Sequence, residues 1–198
     1  MRALHQLLNG SIRYAAILAL GATTGAVAGG EENCDFGSPH PAMPAEFRQY
    51  DFLIGDFEVR IRIWLGDHWS EQYQKARWIG RYILGGRAVS EEWYPKDPAD
   101  DPNGPAGVNI RMYDAQENSW KLMWMRSDQL IPTELRSQVR EDGRMYLWRV
   151  YPTPDDRKIW FETYDEDHWA RLDYERSESG DAWVPRYKLD AYRHAGCQ

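Results

Sequence analysis

Apolar and polar residues alternate along most of this chain, with the two-residue period of a half-buried β-strand. Phe57, Val59, Ile61 and Ile63 point one way, while Glu58, Arg60, Arg62 and Trp64 point the other. The pattern predicts ten strands, over 57–64, 69–84, 87–94, 107–113, 119–126, 133–140, 144–151, 158–164, 169–176 and 183–193. Gly85 and Gly86 separate the second from the third, and turn formers such as Asp142-Gly143 and Ser179-Gly180 punctuate the rest. Only the connection over 95–105 is long, and it holds four of the eleven prolines. One stretch departs from alternation. Around 44–54, Phe47, Tyr50 and Leu53 or Ile54 recur every three or four residues, which predicts a short helical turn.

Short connections make neighbouring strands antiparallel, and a ten-strand meander either closes or splits into two packed sheets. An immunoglobulin-like sandwich would carry a Cys–Trp–Cys core and a long Greek-key return, and neither is present. The expected fold is therefore all-β: an up-and-down antiparallel barrel of about ten strands with a short N-terminal helical turn. Such a barrel has room for one small ligand.

Composition narrows the classes. Ten Trp, twelve Tyr and five Phe make up 14% of the 198 residues, which excludes a disordered chain. The formal charge is −7 and the pI about 5.3, so a basic nucleic-acid-binding surface is not expected. Mean hydropathy is −0.73, too low for a multi-span membrane protein.

Residues 1–28 differ from the remainder. Arg2 and Arg13 are their only formal charges, an apolar run follows Tyr14, and Ala26-Val27-Ala28 offers a small-x-small cleavage site. This is the pattern of a secretory signal peptide, too short and too rich in Gly and Thr to span a bilayer. The expected organisation is a signal peptide over 1–28, a flexible lead-in over 29–45 and a barrel over 46–198. The mature protein would be periplasmic or secreted, with no stable membrane insertion. Monomer and homodimer both stay open. Losing two Arg and no acid would take the charge from −7 to −9. Cys34 and Cys197, the only cysteines, sit near the two ends of the mature chain. In an oxidising compartment they suggest one disulfide, against the alternative of two unpaired thiols.

Several strings resemble the bacterial DUF1579 proteins, which are lipocalin-like. Asp51-Phe-Leu-Ile-Gly-Asp-Phe-Glu-Val59 is similar to that family's opening strand, and Ile83-Leu-Gly-Gly-Arg-Ala-Val-Ser-Glu-Glu92 to its next segment. Ile110-Arg-Met-Tyr-Asp114 with Trp120 and Trp124, then Ser179-Gly-Asp181, Trp183 and Arg193, complete the likeness over about residues 50 to 194. The resemblance implies a calycin-type barrel and no particular activity. It also implies that Arg193 packs over the opening aromatic, Phe57, to close the barrel base, where such barrels usually carry Trp.

Candidate chemistry follows from strand faces. Arg111 and Tyr113, Arg149 and Tyr151, and Arg60 and Arg62 are each two apart and so share a face. An inward Arg-x-Tyr can grip a carboxylate, because the guanidinium takes it bidentately and the phenol adds a donor. Arg62, Arg111, Trp124, Arg126, Arg149 and Tyr151 form the expected ligand-binding set; the alternative is that these Arg face outward and pair with Asp and Glu. Of the neighbouring Glu91 and Glu92, alternation turns only one inward, and Glu134 and Asp173 are further candidate acids. His5, His40, His68, His168 and His194 are scattered and no Cys-x-x-Cys occurs, so neither metal nor cofactor is expected. The first functional expectation is an exported barrel that binds a small, mostly apolar or aromatic, anionic molecule. The alternative is a cofactor-free lyase, isomerase or cyclase acting on an aromatic or enolisable substrate, with Tyr113, Glu162 and His168 as catalytic groups.

Overall fold

The computed structural model describes residues 34–96, 98–154 and 158–194. The expected signal segment and Cys197 lie outside the described residues. The chain forms a 3₁₀ segment, Ala45–Leu53, followed by ten strands. They are β1 Gly55–Ile63, β2 Gln74–Ile83, β3 Ala88–Tyr94, β4 Gly107–Asp114, β5 Ser119–Arg126, β6 Thr133–Val139, β7 Met145–Tyr151, β8 Lys158–Thr163, β9 His168–Arg176 and β10 Trp183–Arg193. Each strand pairs antiparallel with the next, and β10 returns to β1, giving a closed up-and-down barrel. Closure leaves no unpaired sheet edge. The main departure from the alternation reading is in β2, which begins at Gln74 rather than Trp69. Trp64 and Trp69 instead form an isolated bridge, with their rings edge-to-face at 5.1 Å.

The helical segment plugs one end. Its apolar positions are three apart, which is the period of a 3₁₀ turn, and Phe47, Tyr50 and Leu53 are fully buried. Phe47 stacks on Trp120 at 5.1 Å and Tyr50 meets the same indole edge-on at 5.0 Å. The Tyr50 hydroxyl donates to Ser137 Oγ at 2.7 Å, and Trp120 Nε1 donates to Gln49 at 3.1 Å. The plug presses so closely on β2 that a Cβ at Gly80 would lie 1.8 Å from the Leu53 carbonyl oxygen. Only glycine permits that approach.

Arg193 seals the same end. Its guanidinium lies 4.8 Å from the Phe57 ring centre, and its nitrogens donate to the Ile54 and Glu166 carbonyls and to Asp167. Upstream of the plug, the lead-in runs against β2 and the β2–β3 turn. Tyr82 N donates to the Phe36 carbonyl, His40 N donates to the Gly86 carbonyl, and Arg81 covers the Phe36 ring at 5.1 Å.

Candidate functional site

The other end of the barrel is open and leads into a cavity of about 580 Å³, within the range usual for small-molecule sites. Three indoles, Trp78, Trp93 and Trp124, form part of its wall. Each sits at an inward position of its strand, with Trp78 and Trp93 directly paired and edge-to-face at 5.8 Å. The six-membered ring of Trp124 reaches over Gly107 of the adjacent strand. A Cβ there would fall 2.2 Å from its ring, so this glycine makes room for the indole.

The wall is also charged. Arg111, Arg126, Arg149 and Arg171 line the cavity, and Glu91 is the one carboxylate among the lining residues. Glu91 and Arg111 are each 1% exposed and meet diagonally across β3 and β4, with Glu91 opposite Asn109 in the register. Arg111 donates to Glu91 through both Nε and Nη2, the latter at 2.8 Å. Glu91 Oε2 also accepts from Asn109 Nδ2 at 3.4 Å. Below this cluster is the plug, with the Tyr50 ring 4.1 Å beneath the Arg111 guanidinium. Glu91, Asn109 and Arg111 are therefore the cavity floor.

Arg171 forms a second pair, donating to both oxygens of the fully buried Asp173 at 2.9 and 3.0 Å and to the Tyr187 hydroxyl at 3.3 Å. Nearer the mouth, Arg126 donates twice to Asp128, at 2.8 and 2.6 Å. Burial pushes the Arg111 guanidinium down to about 10, which still leaves it charged at neutral pH. For Arg171 burial acts in the same direction and is the largest single effect, but Asp173 together with the Tyr187 and Tyr50 hydroxyls holds the group above its ordinary value. Burial raises the Tyr50 hydroxyl. Buried polar atoms of lining residues without a hydrogen-bond partner among the described residues include Arg111 Nη1, Asn109 Oδ1 and Trp78 Nε1.

Of the expected ligand-binding set, Arg111, Trp124, Arg126 and Arg149 line this cavity and Arg62 and Tyr151 do not. Arg62 is turned outward by the same alternation that buries Val59, and it donates to Asp190 at 3.1 Å. Tyr151 is half exposed, for a reason invisible in local alternation. Leu135 pairs with Arg149 but the next partner pair is Glu134 with Tyr151, so β7 carries one extra residue at a bulge. The bulge reverses the phase and sends Tyr151 to the outer face.

The expected catalytic groups are not brought together. Tyr113 shares the inward face of Arg111 but lies at the plugged end, packed on Trp120 and donating to Asn118 at 2.6 Å. Burial raises its hydroxyl, with Glu46 and Asp114 adding to the shift. Glu162 is on the outer face of β8, because Ile159 and Phe161 take the inward positions; it accepts from Trp160 and Tyr164. His168 is likewise outward, stacked on Tyr192 at 4.3 Å with Asp190 3.8 Å away. Among the other candidate acids, Glu91 and Asp173 are inward, while Glu134 pairs outside with Arg136. Arg171, Asn109 and Tyr187 were not singled out in the sequence, although Arg171 is two residues from Trp169 and so shares its inward face. Among the described residues no group of His, Cys, Asp and Glu could hold a metal ion.

No family model matches the chain, so the DUF1579 resemblance rests on the quoted residues alone. No curated protein matches it either. Among solved structures, the chain is similar to the S-type phycobiliprotein lyase CPES from Guillardia theta. The TM-score is 0.47 and the identity 16%, over 75% of this chain and 95% of that one.

Proposed function

We propose that this protein is an exported barrel that binds one small, planar, mostly apolar and anionic molecule in its cavity. The observation that carries the proposal is the lining: three indoles and four guanidinium groups share one space, with Glu91, Asp173 and Asp128 as the carboxylate partners of Arg111, Arg171 and Arg126. Indoles favour a flat, apolar partner. Arginines in a partly dehydrated wall favour an anion, because a guanidinium is weakly hydrated and offers several fixed donors. A floppy acyl chain would make little use of either. The leader-like composition of residues 1–28 and the two terminal cysteines support export.

A metal-free acid/base enzyme on the same barrel is the second reading, favoured by the buried Glu91 carboxylate in the cavity. Both Glu91 oxygens already accept hydrogen bonds from Arg111, and none of Tyr113, Glu162 and His168 lines the cavity, so binding is the primary reading. Native mass spectrometry of protein isolated from its own source tests the proposal. The expected result is one aromatic acid released per chain, recovered unchanged after incubation. Release of a neutral lipid contradicts the ligand class, and conversion of the released molecule moves the assignment to the enzyme.

A further inference from the structure

We propose that the outer face of β4 and β5 is the interface of a symmetric dimer, with a second copy of this chain seated on it. The outward positions of the two strands are Val108, Ile110 and Met112, then Lys121, Met123 and Met125. The register sets Val108 beside Met125 and Ile110 beside Met123, so four apolar side chains form one block. Met112 extends it, one step along β4. Met112, Met123 and Met125 are 53, 38 and 37% exposed. The outer face of β1 and β2, by contrast, carries Glu58, Arg60, Arg62, Lys75 and Arg77. An open groove of about 710 Å³ continues the block toward Lys121, Glu134 and Arg136. Contiguous exposed apolar surface marks an interaction site. Methionine suits one, because its unbranched side chain repacks easily.

Charge and register favour a second copy as the occupant. The flanks carry both signs already balanced, Lys121 with Asp114 and Arg136 with Glu134, each pair at 2.6 Å. A strongly acidic or basic partner would find no unmet charge there. A closed barrel has no sheet edge to pair, so two copies meet face to face. A two-fold axis parallel to the strands, between β4 and β5, lays Met123 over Ile110 of the second copy and Met125 over Val108. It also sets the Lys121 stem over Met112 and Glu134 over Ser90. An axis across the strands through the Ile110–Met123 row would set Glu134 over its own copy, like charge on like. The first seating is therefore the one the charges select. From β3 to β6 this face is about 20 Å square, by strand spacing and rise. That is smaller than the roughly 800 Å² per partner of a standard interface, so the dimer is a weak one.

Sedimentation velocity of the intact protein tests this, from micromolar concentration up to about 1 mM. A monomer–dimer equilibrium with a micromolar dissociation constant is expected. Met123→Asp should weaken it at least about a hundredfold, because a symmetric interface contains the substitution twice. Met112→Asp serves the same purpose if Met123→Asp fails to fold, with circular dichroism as the check on folding. Oxidative cross-linking reads the seating: Ile110→Cys mixed with Met123→Cys should cross-link faster than either variant alone. A monomer throughout the range overturns the proposal, as does a dimer that survives in a folded aspartate variant. Faster cross-linking of the unmixed variants overturns it too, since that is the mark of the axis across the strands. Phosphatidylcholine vesicles added to the same runs test the other occupant. A monomer that sediments with them, and no longer does so in Met123→Asp, overturns the dimer and gives the face to a lipid surface.

Discussion

Removing one member of the Arg111–Glu91 pair is expected to damage the fold far more than removing both. Each side chain is 1% exposed, so Arg111→Met leaves a carboxylate in the barrel interior with Asn109 as its one remaining donor, at 3.4 Å. Breaking a buried ion pair on one side costs about 3–5 kcal/mol. Losing the guanidinium over the Tyr50 ring adds about 0.5–2 kcal/mol. For a domain of this size, 1 kcal/mol moves Tm by roughly 2–4 °C, so the single variant should melt at least roughly 6 °C lower. Glu91→Met should do similar harm by stranding the cation. The double variant replaces the pair by apolar side chains of similar length, and such exchanges are often neutral in stability. Urea unfolding of the four proteins gives the coupling energy directly. A coupling above about 2 kcal/mol agrees with the structure. Singles that each cost under about 1 kcal/mol, or a double variant equal to their sum, would refute the view that these two groups form one dehydrated unit.

Other positions give independent checks. Gly107→Ala should drive the Trp124 ring out of place, weakening the binding of aromatic probes and costing about 1–3 kcal/mol in urea unfolding; unchanged Trp fluorescence and binding would count against the cavity wall as described. Arg193→Lys keeps the charge but not the fork that reaches the Ile54 and Glu166 carbonyls and Asp167, so it should lose about 1–3 kcal/mol by the same assay. Glu58 is held below its ordinary 4.5 by a hydrogen bond from Lys75 and, with less effect, one from Arg60. Its contribution to stability is present above about pH 4.5 and is lost as the pH falls through the lower folded value; Glu58→Gln should flatten that part of the acid limb in pH-dependent unfolding. A Cys34–Cys197 bridge would show as an intact mass two hydrogens lighter than the reduced chain, with about 4–5 kcal/mol of stability in the chain-entropy model.

The barrel was legible because burial on one face of a strand writes itself into the sequence with period two. β5 and β10 begin and end where alternation places them, and the plug was visible in the three-residue spacing of Phe47, Tyr50 and Leu53. The base closure was legible only by resemblance, since nothing local to Arg193 points to Phe57. The site was half legible. Alternation within β4, β5 and β7 brought Arg111, Trp124, Arg126 and Arg149 to the interior. The same rule, applied to β1, β8 and β9, turns Arg62, Glu162 and His168 outward. Tyr151 escaped because a bulge depends on the partner strand, and a single strand's sequence does not carry it. The pairing of Arg111 with Glu91 was out of reach for a related reason. Twenty residues separate them, and only the β3–β4 register, which sets Glu91 opposite Asn109 and Arg111 opposite Val89, makes them diagonal neighbours on one face.

The aromatic excess has three locations. Trp120 and Trp169 pack the interior beside the plug and base, and Trp78, Trp93 and Trp124 line the cavity. Others lie on the outer surface under cations, such as Trp148 beneath Arg140 and Trp183 beneath Lys158 and Arg176. Only the second group bears on function, and its meaning depends on the arginines that share its space.

The most direct test is therefore a pair of titrations with dyes of nearly the same aromatic frame, 8-anilinonaphthalene-1-sulfonate and the uncharged N-phenyl-1-naphthylamine. The account predicts one site per folded chain, quenching of tryptophan emission by both dyes, and at least about tenfold tighter binding of the anion. Equal or tighter binding of the neutral dye, or no saturable site for either, would contradict it.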